Sequence, residues 1–80
     1  MDDVEIVRRI GTLADEERSL EQLHTGRGLS DEEVARLRAV EVALDQCWDL
    51  LRQRRARRNA GQDPDDAEVR PEAVVEGYKQ

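Results

Sequence analysis

From Ile6 to Leu51 the apolar residues recur at alternating intervals of three and four, and the pattern breaks once, across residues 25–30. That spacing gathers side chains on one stripe of an α-helix and does not fit the alternation of a half-buried strand. The chain is therefore expected to fold as two long helices joined by a short turn. The first stripe reads Ile6, Ile10, Leu13, Glu17, Leu20, His24, widened by Val7, Ala14 and Leu23. The second reads Val34, Leu37, Glu41, Leu44, Trp48, Leu51, with Val40 and Cys47 alongside. Of their polar members, Glu17, His24 and Glu41, the two glutamates are expected at the seam edge, paired with Arg38 or Arg18 and setting register as polar seam residues do in coiled coils.

Boundary signals place the elements. Asp2 or Asp3 caps the first helix, and Glu5 stands three after Asp2, as a capping box requires. Gly26 is placed to take the left-handed conformation that ends it. Ser30 and Glu33 form a second capping box, with Leu29 and Val34 positioned as a hydrophobic staple. The reading is helix 1 over about 3–25, a turn at 26–30 and helix 2 over about 31–59. So short a connection makes the helices antiparallel neighbours. Counting outward from the turn sets Leu20 near Leu37, Leu13 near Leu44, Ile6 or Ile10 near Trp48, and Asp3 opposite Arg52 or Gln53. Gly11 costs roughly 1 kcal/mol relative to Ala inside a helix, so a close helix crossing is one reason for it.

Beyond residue 59 the character changes. Gly61, Asp63, Pro64, Asp65 and Asp66 break the helix, and Pro71 forbids a long one afterwards. Residues 60–80 are expected to form an acidic, mostly irregular tail with at most a helical turn from Pro71 to Glu76, the position Pro tolerates best. Val69, Val74, Val75 and Tyr78 are its candidates for docking on the hairpin.

Eighty residues make one small domain, which buries too little apolar surface to be comfortably stable unless a second chain, a metal or a staple completes it. One Cys forbids an internal disulfide, and no Cys or His spacing points to structural zinc. The first residues, Asp2 and Asp3 included, carry no secretory pattern, and no segment reaches the ~18 apolar residues that span a bilayer. The expectation is a soluble cytoplasmic protein.

Residues 44–58, LDQCWDLLRQRRARR, hold the single Trp, the single Cys and five of thirteen basic residues. Arg52, Arg54, Arg55, Arg57 and Arg58 are a candidate phosphate-binding cluster for nucleic acid. The plainer reading is stronger: cations suit a helix C-terminus, Asp2, Asp3, Glu5, Asp63, Asp65 and Asp66 lie nearby, and a net charge of −6 opposes attraction to a polyanion. Trp48 reads as a core or interface anchor. Cys47 reads as a small inert hydrophobe, since His24 lies roughly 20–30 Å away along the hairpin at ~1.5 Å per residue. Glu21 and His24 form a Glu-x-x-His pair like those of di-metal helical bundles, but Glu41 does not align with them. No catalytic residue, metal site or cofactor is assigned.

Residues 44–58 together with DPDDAEVRP (63–71) and VVEGY (74–78) resemble a family of short actinobacterial proteins classified as domain of unknown function 2630. The resemblance spans essentially the whole chain and is most specific at the Trp-centred run. It implies a small cytoplasmic helical protein and brings no catalytic residues. It also implies that Arg70, Pro71, Glu76, Gly77 and Tyr78 belong to a pattern, so that the tail docks on the hairpin or on a partner.

The sequence thus describes an all-α, antiparallel, coiled-coil-like two-helix hairpin with a tail. Its seam is Ile6, Ile10, Leu13, Leu20, Leu37, Leu44, Trp48 and Leu51. Self-association into a four-helix bundle, the tail, or an unidentified protein would complete that seam. The expected role is that of a structural or interaction module, with a nucleic-acid accessory factor as the alternative.

Overall fold

The structure is a computed structural model and describes residues 1–77, so Tyr78 lies outside the described residues. Two antiparallel helices, α1 (Asp3–Arg27) and α2 (Asp31–Asn59), form the hairpin. A 3₁₀ turn over Pro64–Asp66 and a short helix, α3 (Glu72–Gly77), return along α2. The fold is all-α, and among the described residues no helix is long and apolar enough to cross a membrane.

Both long helices begin where a side chain takes up orphaned N–H groups. Asp2 and Glu5 satisfy each other's backbone N–H at α1, and Ser30 and Glu33 do the same at α2. The break between the helices is shorter than its glycines imply. α1 continues through Gly26 to Arg27, and Gly28, not Gly26, leaves the helix with φ 80° and ψ 164°, a region open essentially to glycine alone. Arg27 fixes this corner by reaching across it: its guanidinium donates to both Glu33 carboxylate oxygens at 3.1 and 2.8 Å and to the Gly28 carbonyl at 3.0 Å. The Arg27 bond, with the Ser30 backbone N–H second, pushes the Glu33 carboxyl down to about 2. At the far end α2 closes in a Schellman motif: Gly61, φ 72°, donates to the Arg58 carbonyl and Gln62 to the Arg57 carbonyl.

On α1 the buried stripe is the one its spacing describes: Ile6, Ile10, Leu13 and Leu20. On α2 the stripe is rotated. Val40, Leu44, Cys47 and Leu50 pack with Ile6, Ile10 and Leu13 in one cluster, to which Ala43, Leu51 and Ala67 add. Leu37 is half-buried, while Val34 and Glu41 are exposed. Trp48, expected to anchor the seam near Ile6 or Ile10, is 49% exposed, and Cys47 takes its place. The physical reason is that α2 serves two partners. Its buried surface has to reach from Leu44, against α1, round to Leu50 and Asp49, against the tail, and that turns the Val34–Glu41–Trp48 line away from both. Gly11 marks no crossing, since a Cβ built there would meet nothing within 4 Å.

The tail is held along its length. Gln53 Nε2 donates to the Glu68 carbonyl at 2.8 Å and Gln46 Nε2 to the Arg70 carbonyl at 3.2 Å, so extended backbone is satisfied by α2 side chains. Pro71 starts α3 by accepting from the N–H groups of Val74 and Val75, and Val75 is buried, only 3% exposed.

The two turn glycines give opposite expectations. Gly28→Ala should lower stability by roughly 1–2 kcal/mol because of its backbone angles, whereas Gly26→Ala, helical and with open space around the new methyl, should raise it by up to about 1 kcal/mol. Urea denaturation followed by circular dichroism checks both.

Candidate functional site

Among the described residues, the buried polar side chains Arg54 and Asp49 each centre a cluster that fastens the tail. At the open end of the hairpin Arg54 is only 5% exposed. Its guanidinium donates to Asp3 Oδ1 at 2.5 Å, to Asp65 Oδ1 at 3.0 Å and to the Pro64 carbonyl at 3.1 Å. Arg58 takes the other Asp3 oxygen at 2.8 Å. One carboxylate on the first turn of α1 therefore meets two guanidiniums of α2, and Arg58 and then Arg54 hold its pKa below the ordinary aspartate value. Asp3 stands one to two residues further along α2 than the expected position opposite Arg52 or Gln53.

The arginine cluster is divided by this arrangement. Arg54 and Arg58 are tied to acids, Arg52 and Arg55 are exposed, and Arg57 is half-buried. The five guanidiniums do not form one free phosphate-binding patch.

The second cluster centres on Asp49, which is 1% exposed. Arg70 embraces its carboxylate with both ends of the guanidinium fork, Nε to Oδ2 at 2.8 Å and Nη2 to Oδ1, and Gln53 Nε2 donates to Oδ2 at 2.9 Å. The Arg70 bond, more than the Gln53 bond, lowers the Asp49 pKa against the opposing effect of burial. Sequence reasoning assigns Asp49 no structural role and marks Arg70 only as part of the pattern that implies a docked tail. The signal available for Asp49 is an ionisable residue set between Trp48 and Leu50 in the most apolar part of α2, where an acid is tolerated only with a partner.

Between the tail and the hairpin lies a small apolar cleft of about 120 Å³, lined by Met1, Ile6, Arg9, Ala43, Cys47 and Val69 among others. Cys47 is a buried free thiol there, and exposed His24 sits on the last turn of α1. Among the described residues no three His, Cys, Asp or Glu side chains are grouped to hold a metal ion.

Among the described residues, none of the tail lies on the opposite side of the hairpin. Residues advance by about 100° along a helix, so positions seven apart form a nearly straight line. On α2 one such line is Val34, Glu41, Trp48, Arg55, and it lies on the far side of the seam from Gln46 and Gln53, which meet the tail. On α1 Arg9 faces the tail-side cleft, which places Val7 and Ala14 near the other edge. Val7 is 57% exposed and Val34 53% exposed. The acids here also differ from their expected pairing: Arg18 bonds Asp15 at 3.3 Å and Arg38 bonds Glu72 at 3.2 Å, neither reaching Glu17 or Glu41. Instead Glu17 has its pKa raised, by desolvation first and then by Glu21, Glu41 and Asp45.

The comparisons with known proteins add kinship and no chemistry. A family described as protein of unknown function (DUF2630) matches residues 2–80. Uncharacterised proteins of Mycobacterium bovis and of two strains of Mycobacterium tuberculosis are each 52% identical over 77 residues, covering 95% of this chain and 88% of the relative. No solved structure matches the chain.

Asp49→Asn keeps the shape and removes the charge that holds Arg70. It should cost roughly 2–3 kcal/mol and free the tail, seen as faster cleavage by a glutamate-specific protease after Glu68 and Glu72. The pH dependence follows from the lowered Asp49 pKa. Its contribution is complete above about pH 4, the unfolded-state value, and is lost as pH falls through the lower folded value. The protection factor of the Val75 amide, its exchange compared with that of an unstructured chain at the same pH, should therefore fall below pH 4 in the native chain, and this acid component should be missing in Asp49→Asn.

Proposed function

The chain belongs to this family of unknown function, and on that premise we propose that it is a non-catalytic protein–protein interaction module whose working surface is the tail-free face around Trp48. The observation that carries this reading is the exposure of the indole itself. Trp48 sits between Cys47 and Asp49, both buried, yet 49% of it faces solvent. Half of an aromatic surface left in water forgoes roughly 2–3 kcal/mol of hydrophobic free energy at ~25 cal/mol per Å². A partner that covers the ring gains that amount, and large aromatic side chains supply most of the affinity at interfaces of this kind. Val7, Val34 and the half-buried Leu37 and Leu51 extend the apolar surface along the hairpin.

The remainder of the molecule supports a scaffold role. The tail is fastened by Asp49 and Arg54, so it occupies the opposite side of the hairpin and stiffens α2. The nucleic-acid alternative rests on Arg52, Arg55 and Arg57. The bonds from Arg54 and Arg58 to Asp3, and the net charge of −6, weigh against it.

A photo-crosslinking amino acid in place of Trp48 should give discrete protein adducts in living cells, while the same group in place of Thr12, on the exposed surface of α1, should give none. Equal, diffuse labelling from both positions would remove the reading.

A further inference from the structure

We propose that the occupant of the Trp48 face is a second copy of this chain, packed antiparallel about a twofold axis at Trp48, with Glu41 of each copy against Arg55 of the other. The inference rests on the reading of that face as an interaction surface and names its partner.

Sequence symmetry about the indole is the first argument. On the line Val34, Glu41, Trp48, Arg55 the acid stands seven residues before the ring and the base seven after it, about 10 Å on either side at ~1.5 Å per residue. A twofold axis perpendicular to α2 at Trp48 lays ring on ring and brings each Glu41 to the partner's Arg55, two pairs from one contact. The same operation in parallel would set Glu41 on Glu41 and Arg55 on Arg55. The pattern therefore fixes the orientation as well as the partner.

The charge within one copy is the second argument. Arg18, Arg36 and Arg38 are occupied by Asp15, Glu16 and Glu72, leaving an acidic end at Glu17, Glu21 and Glu41 and a basic end at Arg52 and Arg55 on the tail-free side. The pKa of Glu17 is raised by desolvation first and then by the like charge of Glu21, Glu41 and Asp45 at this acidic end. An antiparallel copy presents its basic end there.

Surface is the third argument. The radius of gyration is 14.8 Å, against ~12 Å for a compact domain of this length, and the accessible surface is 5681 Å² against ~4,900 Å² for a monomer of this mass. The isolated chain is extended and under-buried. An axis at Trp48 overlaps residues 37–59 of α2 with their counterparts over ~33 Å, and two helices side by side are ~20 Å wide, so roughly 650 Å² per copy is available, the size at which stable interfaces begin. Covering it with a copy of itself converts one helical layer into the two layers of a four-helix bundle.

Sedimentation equilibrium of the full chain, with a dilution series read by Trp48 fluorescence, makes the test. The expected species has twice the 9.2 kDa chain mass at micromolar concentration, with indole emission shifting to the red on dilution. Glu41→Arg and Arg55→Glu, both at exposed positions, should each weaken self-association at least tenfold while helical circular dichroism is unchanged. Mixed one to one, these two variants should restore the double-mass species, because every cross pair then joins a base to an acid. Should either lose helical signal, Val7→Glu on α1 serves in its place and should also give the monomer. A wild-type chain that stays monomeric at high micromolar concentration overturns the proposal. So does a double-mass species that survives both charge reversals, or one that the mixture fails to restore. A monomer whose position 48 still crosslinks to a foreign protein removes the second copy and leaves the interaction reading intact.

Discussion

The carboxylate of Asp49 decides which way α2 faces. A charge with almost no solvent contact is tolerated only when its lone pairs are filled, and Arg70 and Gln53 fill them. Once Asp49 is turned to the tail, Leu50 follows it inward, Cys47 and Val40 meet α1, and Trp48 is carried to the opposite side. An apolar residue of similar size in place of Asp49 would bury as well, but it would not require Arg70. The pair therefore specifies where the tail docks more than it adds net stability.

Arg54 plays the corresponding part at the open end of the hairpin. It occupies the position where the α2 seam would call for an apolar residue, and its buried guanidinium gathers the first turn of α1 and the 3₁₀ turn of the tail. The planar fork suits this task because it donates in several directions at once, which an ammonium would do with less geometric definition. Helix register, tail path and the occupation of the arginine cluster are thereby coupled through one side chain. What remains free on the surface, Trp48 with Glu41 and Arg55 on its line, is the part of α2 that neither fastening uses.

Much of this was legible in the chain itself. The capping boxes at Asp2 and Ser30, the stripe on α1, the antiparallel pairing and the start of α3 after Pro71 follow from spacing and local hydrogen-bonding chemistry, which act within a few residues. The stripe on α2 was not legible, because two stripes fit it equally well. Leu37, Leu44 and Leu51 belong to both, and the choice between Val40 with Cys47 and Val34 with Trp48 favours the larger ring on hydrophobicity alone. Burial of Asp49 reverses that preference. The end of α1 was misplaced by two residues for a related reason: either glycine can end a helix, and the Arg27–Glu33 bridge across the turn selects Gly28.

The sequence by itself determined the helices, the hairpin and the family, because periodicity and capping are encoded by neighbours along the chain. Only the tertiary structure decided which face of α2 is buried, which arginines are occupied and that Trp48 is left to solvent. Those outcomes depend on Asp3, Asp49, Arg54, Asp65 and Arg70, residues that are distant in sequence and find each other only after the hairpin has closed and the tail has folded back.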